Sequence, residues 1–149
     1  MEQGKLEVGN TSGKSSLLKP DVLRLELPWP PSVNHYTGHR VAGKRGGKQF
    51  VQVYLTAAAK EFHRNVQAVV MRDRAARGWV CPLKLSVWTY PPDRRKRDTS
   101  NLFKMLEDSL QRAGVFADDY QIAEHHAWRT THVVKDGMVV VEIEPTVVL

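Results

Sequence analysis

The sequence predicts a small mixed-sheet α/β (α+β) domain in the order β-α-β-α-β-β, with two main helices packed on one sheet. Two stretches space their apolar residues by three or four and stop at a glycine, which is the pattern of an amphipathic helix. Four shorter stretches alternate apolar with polar residues or run apolar between prolines, glycines and charges, as strands do. The length, 149 residues with 42% hydrophobic content, suits one domain with one core.

The segment before the first strand, residues 1–20, is rich in Gly, Ser, Lys and Asn and shows no apolar period, so it reads as a disordered leader ahead of a domain at 21–149. Within it, Gly9-Asn10-Thr11-Ser12-Gly13-Lys14-Ser15 imitates a phosphate-binding loop. It has three residues between its glycines where that motif has four, and no hydrophobic strand precedes it, so no nucleotide cofactor is expected.

The first strand is Val22–Leu27, with Leu23, Leu25 and Leu27 on one side and Arg24 and Glu26 on the other. Pro28, Pro30 and Pro31 end it. His35 to Lys48 then carries Arg40, Lys44, Arg45 and Lys48 without an acid, and its glycines mark it as a flexible basic loop. The first helix spans Leu55–Arg77 on Ala58, Phe62, Val66, Val69 and Val70, with Gly78 just beyond it. A strand follows through Leu83, Leu85 and Val87 to Tyr90, closed by Pro91 and Pro92. The second helix, Ser100–Ala113, has Leu102, Met105, Leu106, Ser109, Leu110 and Ala113 on one face, Thr99 or Ser100 as its cap, and Gly114 at its end. Two strands, Gln121–His132 and Met138–Glu144, are joined across Lys135-Asp136-Gly137, where Asp-Gly signals a hairpin.

Composition narrows the function classes. No apolar run approaches the ~20 residues of a membrane helix, and no signal-peptide core is present, so a soluble, cytoplasmic protein is expected. The single cysteine, Cys81, excludes an internal disulfide and a cysteine-rich zinc site. A net charge of +6 favours polyanionic partners. A second cationic run, Arg94-Arg95-Lys96-Arg97, leads directly into Asp98, which crowds cations onto a carboxylate. The histidines lack ligand spacing, and His125 and His126 point to opposite faces of a strand. His35 and Tyr36 are candidates for contact with DNA, and Trp29 for stacking on a base or packing on its own domain.

The chemistry concentrates between Pro91 and Gln121. Asp98 starts a helix about 20 Å long, and the five residues from Gly114 to Asp119 return about 17 Å when extended, enough to bring Asp119 back along the helix. Two carboxylates with waters suit Mg2+, or Mn2+ in its place, because these ions prefer oxygen ligands. Ser100, Lys104 and Asp108 share one helical face, and Asn101 stands beside it. Lys104 can neutralise a phosphate in the transition state. Equally, Lys104 and Asp108 can be a plain surface pair.

Several ordered motifs carry a resemblance: Asp98-Thr99-Ser100-Asn101-Leu102-Phe103-Lys104, Glu107-Asp108-Ser109-Leu110, Ala113-Gly114-Val115, Asp118-Asp119-Tyr120-Gln121-Ile122 and Leu27-Pro28-Trp29-Pro30-Pro31-Ser32-Val33-Asn34. Together, over about residues 22–144, they resemble the RusA family of Holliday-junction resolvases, which have Asp-x-Asp-Asn-x-x-Lys followed by an Asp-Asp pair before a strand. The resemblance implies a homodimeric, Mg2+-dependent endonuclease acting on branched DNA in recombination and repair. It implies that Asp98 and Asp119, with Asp118 beside them, hold the metal, that Lys104 is the catalytic cation, and that Arg97, Ser100 and Asn101 support them. Arg40, Lys44, Arg45, Lys48, Arg94, Arg95 and Lys96 are the expected DNA-binding cations. Ser100 stands where the family has a second metal-binding aspartate. Two rival readings follow, a junction-binding accessory protein with weakened catalysis and a general nucleic-acid-binding domain.

Overall fold

The computed structural model describes residues 21–149; the expected leader and its phosphate-loop mimic lie outside the described residues. Six strands and two helices follow one another as β1 (Leu23–Pro28), β2 (Thr37–Arg45), β3 (Lys48–Leu55), α1 (Ala57–Arg72), β4 (Leu83–Tyr90), α2 (Ser100–Arg112), β5 (Ile122–Arg129) and β6 (Met138–Pro145). Four strands form one sheet in the order β1-β6-β4-β5, and β2 with β3 form a separate ribbon. The mixed α+β class is as expected. The element order gains two strands, and the pairing of the last two differs.

In β1, Leu23, Leu25 and Leu27 are buried while Arg24 and Glu26 are exposed, so the alternation seen in the sequence is the alternation of the sheet's two faces. Leu83, Leu85 and Val87 of β4 and Val139, Val141 and Ile143 of β6 join them on the inner face. Phe62, Val66 and Val70 of α1 and Leu102, Met105, Leu106 and Leu110 of α2 pack against that face and complete one core. At about 25 cal/mol per Å2 of apolar surface removed from water, this contiguous cluster is what holds the domain together.

Three expectations are corrected. The basic segment is not a flexible loop but the β2–β3 hairpin, paired in antiparallel register from Thr37↔Leu55 to Arg45↔Lys48 with a bulge between Val41 and Gly43. Its turn is Gly46-Gly47, with φ of 59° and 77°, the two positive values that a two-residue hairpin turn requires and glycine supplies without strain. Second, Gln121–His132 and Met138–Glu144 do not form a hairpin with each other. β6 lies between β1 and β4, antiparallel to both, and β5 runs parallel to β4 at the sheet edge. The Asp-Gly signal does make a turn, in which Gly137 N–H donates to Val134 C=O at 2.8 Å, but the eight-residue connection carries the chain across β4. Third, α1 stops at Arg72 rather than Arg77, because Arg74 takes φ 52° and Ala75 N–H bonds back to Val70 C=O. Its buried face begins at Ala59, not Ala58.

Because β1, β4 and β5 all run in one direction, their C-terminal ends share one edge of the sheet. Trp29, Pro91 and Arg129 emerge there, and the chain from Pro91 leads into α2. That topology decides where the functional side chains meet.

Candidate active site

The loop between β4 and α2 is rich in cations, yet it is fixed in place. Asp93 accepts a bidentate pair from Arg97, at 2.5 and 2.7 Å, and a third bond from the Arg95 N–H at 2.8 Å. These donors, the Arg97 side chain foremost, hold the Asp93 carboxyl far below the usual carboxylate range. The Arg97 guanidinium also lies 5.7 Å from the Trp29 ring centroid. Gly137 approaches the same indole so closely that a Cβ there would fall 2.9 Å from Trp29 Cβ. Trp29 therefore packs on its own domain, between Arg97 and the Val134–Gly137 turn. Arg97 is a brace for the loop.

A cleft of about 680 Å3 opens beside this brace, lined among others by Arg94, Arg95, Lys96, Arg97 and Arg129, with Asp93 the one acid among the described residues that line it. Arg129 at the end of β5 is a contributor that the sequence did not single out. The cleft borders Thr99 and so abuts Asp98. The ribbon cations Arg40, Lys44, Arg45 and Lys48 are exposed but do not line it. Arg40 bonds Gln52 on the neighbouring strand at 2.9 Å.

Asp98 caps α2. Its Oδ1 accepts from the Ser100 backbone N–H at 2.9 Å and from the Ser100 hydroxyl at 2.6 Å. Thr99 holds the N-cap position without a side-chain bond of its own, so the cap expected of Thr99 or Ser100 is supplied by Asp98. The Ser100 hydroxyl, then its N–H, lower the Asp98 carboxyl's pKa, and Arg129 adds a weaker pull in the same direction.

One turn into the helix, Lys104 Nζ lies 3.2 Å from Asp108 Oδ1 and 3.9 Å from Asp119 Oδ2, so the extended return of the chain does bring Asp119 to the helix. The hydrogen bond to Asp108, above all, raises the Lys104 pKa, and the ammonium stays charged. Asp119 opens a single 3-10 turn. Asp118 caps that turn in a capping box with Gln121, its carboxylate accepting from Tyr120 N–H at 2.9 Å. Asn101 is exposed on the first turn of α2.

Sequence reasoning missed two partners of this row. Tyr36 does not face outward for DNA; its hydroxyl donates to Asp108 Oδ2 at 2.5 Å, and burial, reinforced by that carboxylate, pushes its pKa to about 12. Glu107 and His125 form a pair at 2.5 Å between α2 and β5. The i, i+3 spacing of Lys104 and Glu107 was the available signal. His126 points to the other face and stacks on Trp128, as the strand alternation required.

Among the described residues no group of three or more His, Cys, Asp or Glu side chains is gathered as a metal cage. The carboxylates on offer, Asp98 at the start of α2 and Asp119 beside Lys104, are donors of the class Mg2+ takes, since it is usually held by one or two carboxylates together with substrate phosphates. No helix among the described residues is long and apolar enough to cross a membrane.

A carboxylate at the start of α2, a lysine one turn into it and a second carboxylate on the 3-10 turn beside that lysine, next to a cationic cleft, suit an enzyme that works on a phosphodiester backbone. The family profile Endodeoxyribonuclease RusA matches residues 28–144. The crossover junction endodeoxyribonuclease RusA of Escherichia coli strain K12 is 33% identical over 101 residues, covering 68% of this chain and 77% of that protein. Proteins of the same name from Enterobacteria phage 82 and from Shigella sonnei match with the same identity and coverage. The chain belongs to the RusA family of endodeoxyribonucleases.

Proposed function

We propose that the protein is a homodimeric, Mg2+-dependent endodeoxyribonuclease that cuts four-way junctions or other branched DNA during recombination and repair. The observation that carries the reading is the row Asp98, Lys104 and Asp119 along α2 beside the arginine-lined cleft, in a chain whose relatives are named crossover junction endodeoxyribonucleases. A junction presents two related strands, and a twofold dimer matches that symmetry.

Each residue has a part in phosphodiester hydrolysis. Arg94, Arg95, Lys96 and Arg129 receive backbone phosphates, and the Asp93–Arg97 brace keeps their loop in place so that little order is lost on binding. Asp98 and Asp119 are the hard oxygen donors for a divalent cation, Asp118 standing next to them. A divalent cation bound there supplies Lewis-acid stabilisation of the charge that grows on the phosphate oxygens. Lys104 adds a full positive charge to the same oxygens, and the N-terminus of α2 a partial one. Hydrolysis leaves a 5′-phosphate and a 3′-hydroxyl, as the family resemblance implies.

One observation favours the second reading. Ser100 occupies the family's second aspartate position and holds Asp98 by two hydrogen bonds, so the site has fewer free anionic oxygens than its relatives' pattern. On that reading the protein binds junctions as an accessory and turns over poorly.

The test incubates the full chain with a synthetic four-way junction, a linear duplex and a single strand, with and without Mg2+ or Mn2+. Junction-selective nicking that requires the ion is the expected result. Tight junction binding without nicking would favour the accessory reading, and equal binding to all three would leave only a general nucleic-acid-binding domain.

A further inference from the structure

β5 pairs with β4 in a register that sets His125 opposite Leu85, a core residue, so His125 projects from the edge strand onto the helix side of the sheet. There its Nε2 meets Glu107 Oε1 at 2.5 Å, and Phe103, one helical turn earlier, buttresses the imidazole edge-on at 5.2 Å. The two partners differ in exposure. Glu107 has 13% of its side chain exposed and His125 has 44%.

Burial is the main reason that the Glu107 carboxyl titrates above its usual range, and His125 offsets part of the cost. When Nε2 donates to that carboxylate, the Nδ1 lone pair is left as an acceptor. Among the described residues nothing hydrogen-bonds to Nδ1. The other charged groups around the pair are Lys104 on α2 and Asp119 on the 3-10 turn, which act on Glu107 in opposite directions. Glu107 follows Lys104 by three residues on α2, and Lys104 Nζ is 3.9 Å from Asp119, so on the nuclease reading the dyad lies beside the proposed catalytic row.

A carboxylate that fixes a half-exposed imidazole is the arrangement by which a histidine takes a proton from an attacking oxygen. We infer that His125 is the general base of the hydrolysis and Glu107 its positioning residue, an inference that rests on the nuclease reading above. As the water oxygen bonds to phosphorus, one of its protons passes to His125 Nδ1. The P–O3′ bond breaks with its electron pair going to the 3′ oxygen, which takes a proton from solvent, and Nδ1 later returns its own proton to solvent. A buried aliphatic residue at position 107 would tie β5 to α2 without burying a carboxylate, so a purely mechanical role leaves the acid unexplained.

The experiment measures single-turnover cleavage of a four-way junction in Mg2+ across pH for the full-length wild type, His125→Ala, His125→Gln and Glu107→Gln. Junction affinity in Ca2+ and thermal melting are measured alongside. His125→Ala and His125→Gln should lower the rate by about 100-fold or more, within the span of general-base catalysis, with affinity unchanged. The acid limb of the pH profile, set by an imidazole in the wild type, should vanish in both, and added imidazole should restore part of the His125→Ala rate. Glu107→Gln should keep the limb and lower the rate by less than the His125 substitutions, because it loosens the imidazole without removing it. A His125→Ala enzyme with the wild-type rate and profile would overturn the inference. So would a loss that imidazole does not restore and that tracks a lower melting temperature in both His125 variants. If Asp98→Asn and Asp119→Asn abolish nicking while the His125 variants do not, the dyad inference alone fails; if the wild type nicks no junction, the nuclease reading and the dyad fall together.

Discussion

Ser100 holds the Asp98 carboxylate through two donors at once, its backbone N–H at 2.9 Å and its hydroxyl at 2.6 Å, both on Oδ1. Asp98 is thereby helix cap and candidate metal ligand together. The serine's hydroxyl competes with a cation for the same oxygen, whereas an aspartate in its place would add a second anionic donor.

Replacing Ser100 by Asp should therefore strengthen the metal site. An added carboxylate should lower the Mg2+ concentration at half-maximal junction cleavage by about tenfold, the factor corresponding to 1.4 kcal/mol of binding. Stability should change little, because a negative charge is favoured at a helix N-terminus. A Mg2+ titration of cleavage by wild type and S100D checks this, and an unchanged midpoint would mean that position 100 is not at the metal.

Tyr36 ties the segment ahead of the hairpin to α2 through Asp108, so Tyr36→Phe should cost about 1.5–3 kcal/mol, the range for a hydrogen bond to a charged group, read by urea unfolding. The pH dependence has a definite sign. A phenol whose pKa rises from 10.0 unfolded to about 12 folded contributes stability that is complete below pH 10 and is lost as pH climbs through 12. The gap in stability between wild type and Y36F should shrink over that window and nowhere below it. A gap constant from pH 8 to 12 would contradict the assignment.

The cleft cations predict a salt dependence. Replacing Arg94, Arg95 and Lys96 together with alanine should weaken junction binding and reduce the slope of log K against log salt by about 0.9 for each phosphate that the protein no longer neutralises. The same measurement on Lys44, Arg45 and Lys48, which sit on the ribbon and not in the cleft, reports whether DNA reaches that far. A slope unchanged by the cleft substitutions would place the backbone elsewhere.

The parts of the fold that sequence made plain are those where one local pattern has one structural meaning. β1 alternates cleanly because one of its faces is core, and the buried face of α2 follows its apolar spacing residue by residue. The β2–β3 ribbon was obscured because its apolar residues, among them Phe50, Val51, Val53 and Tyr54, are exposed and two-sided rather than alternating against a core; Gly46-Gly47 was the signal that marked it. The place of β6 between β1 and β4 is a long-range choice that no local turn encodes, and the Asp136-Gly137 turn misled because it only redirects the chain. At the candidate site, the return of the chain that sets Asp119 beside Lys104 was readable from its reach. The Glu107–His125 pair was not, since its partners are 18 residues apart on different elements and meet only through the β4–β5 register.

Whether the Asp98–Lys104–Asp119 row cuts DNA is tested most directly by Mg2+-dependent nicking of a four-way junction by Asp98→Asn, Asp119→Asn and Lys104→Ala beside wild type, with binding measured separately in Ca2+. The two aspartate variants should lose nicking while binding as well as wild type or better, because each removes a negative charge facing the phosphates. Lys104→Ala should lose about 100-fold or more in rate, as removal of one transition-state donor does, while still binding. Wild-type nicking by Asp98→Asn and Asp119→Asn would contradict the account and put the active site elsewhere on the molecule.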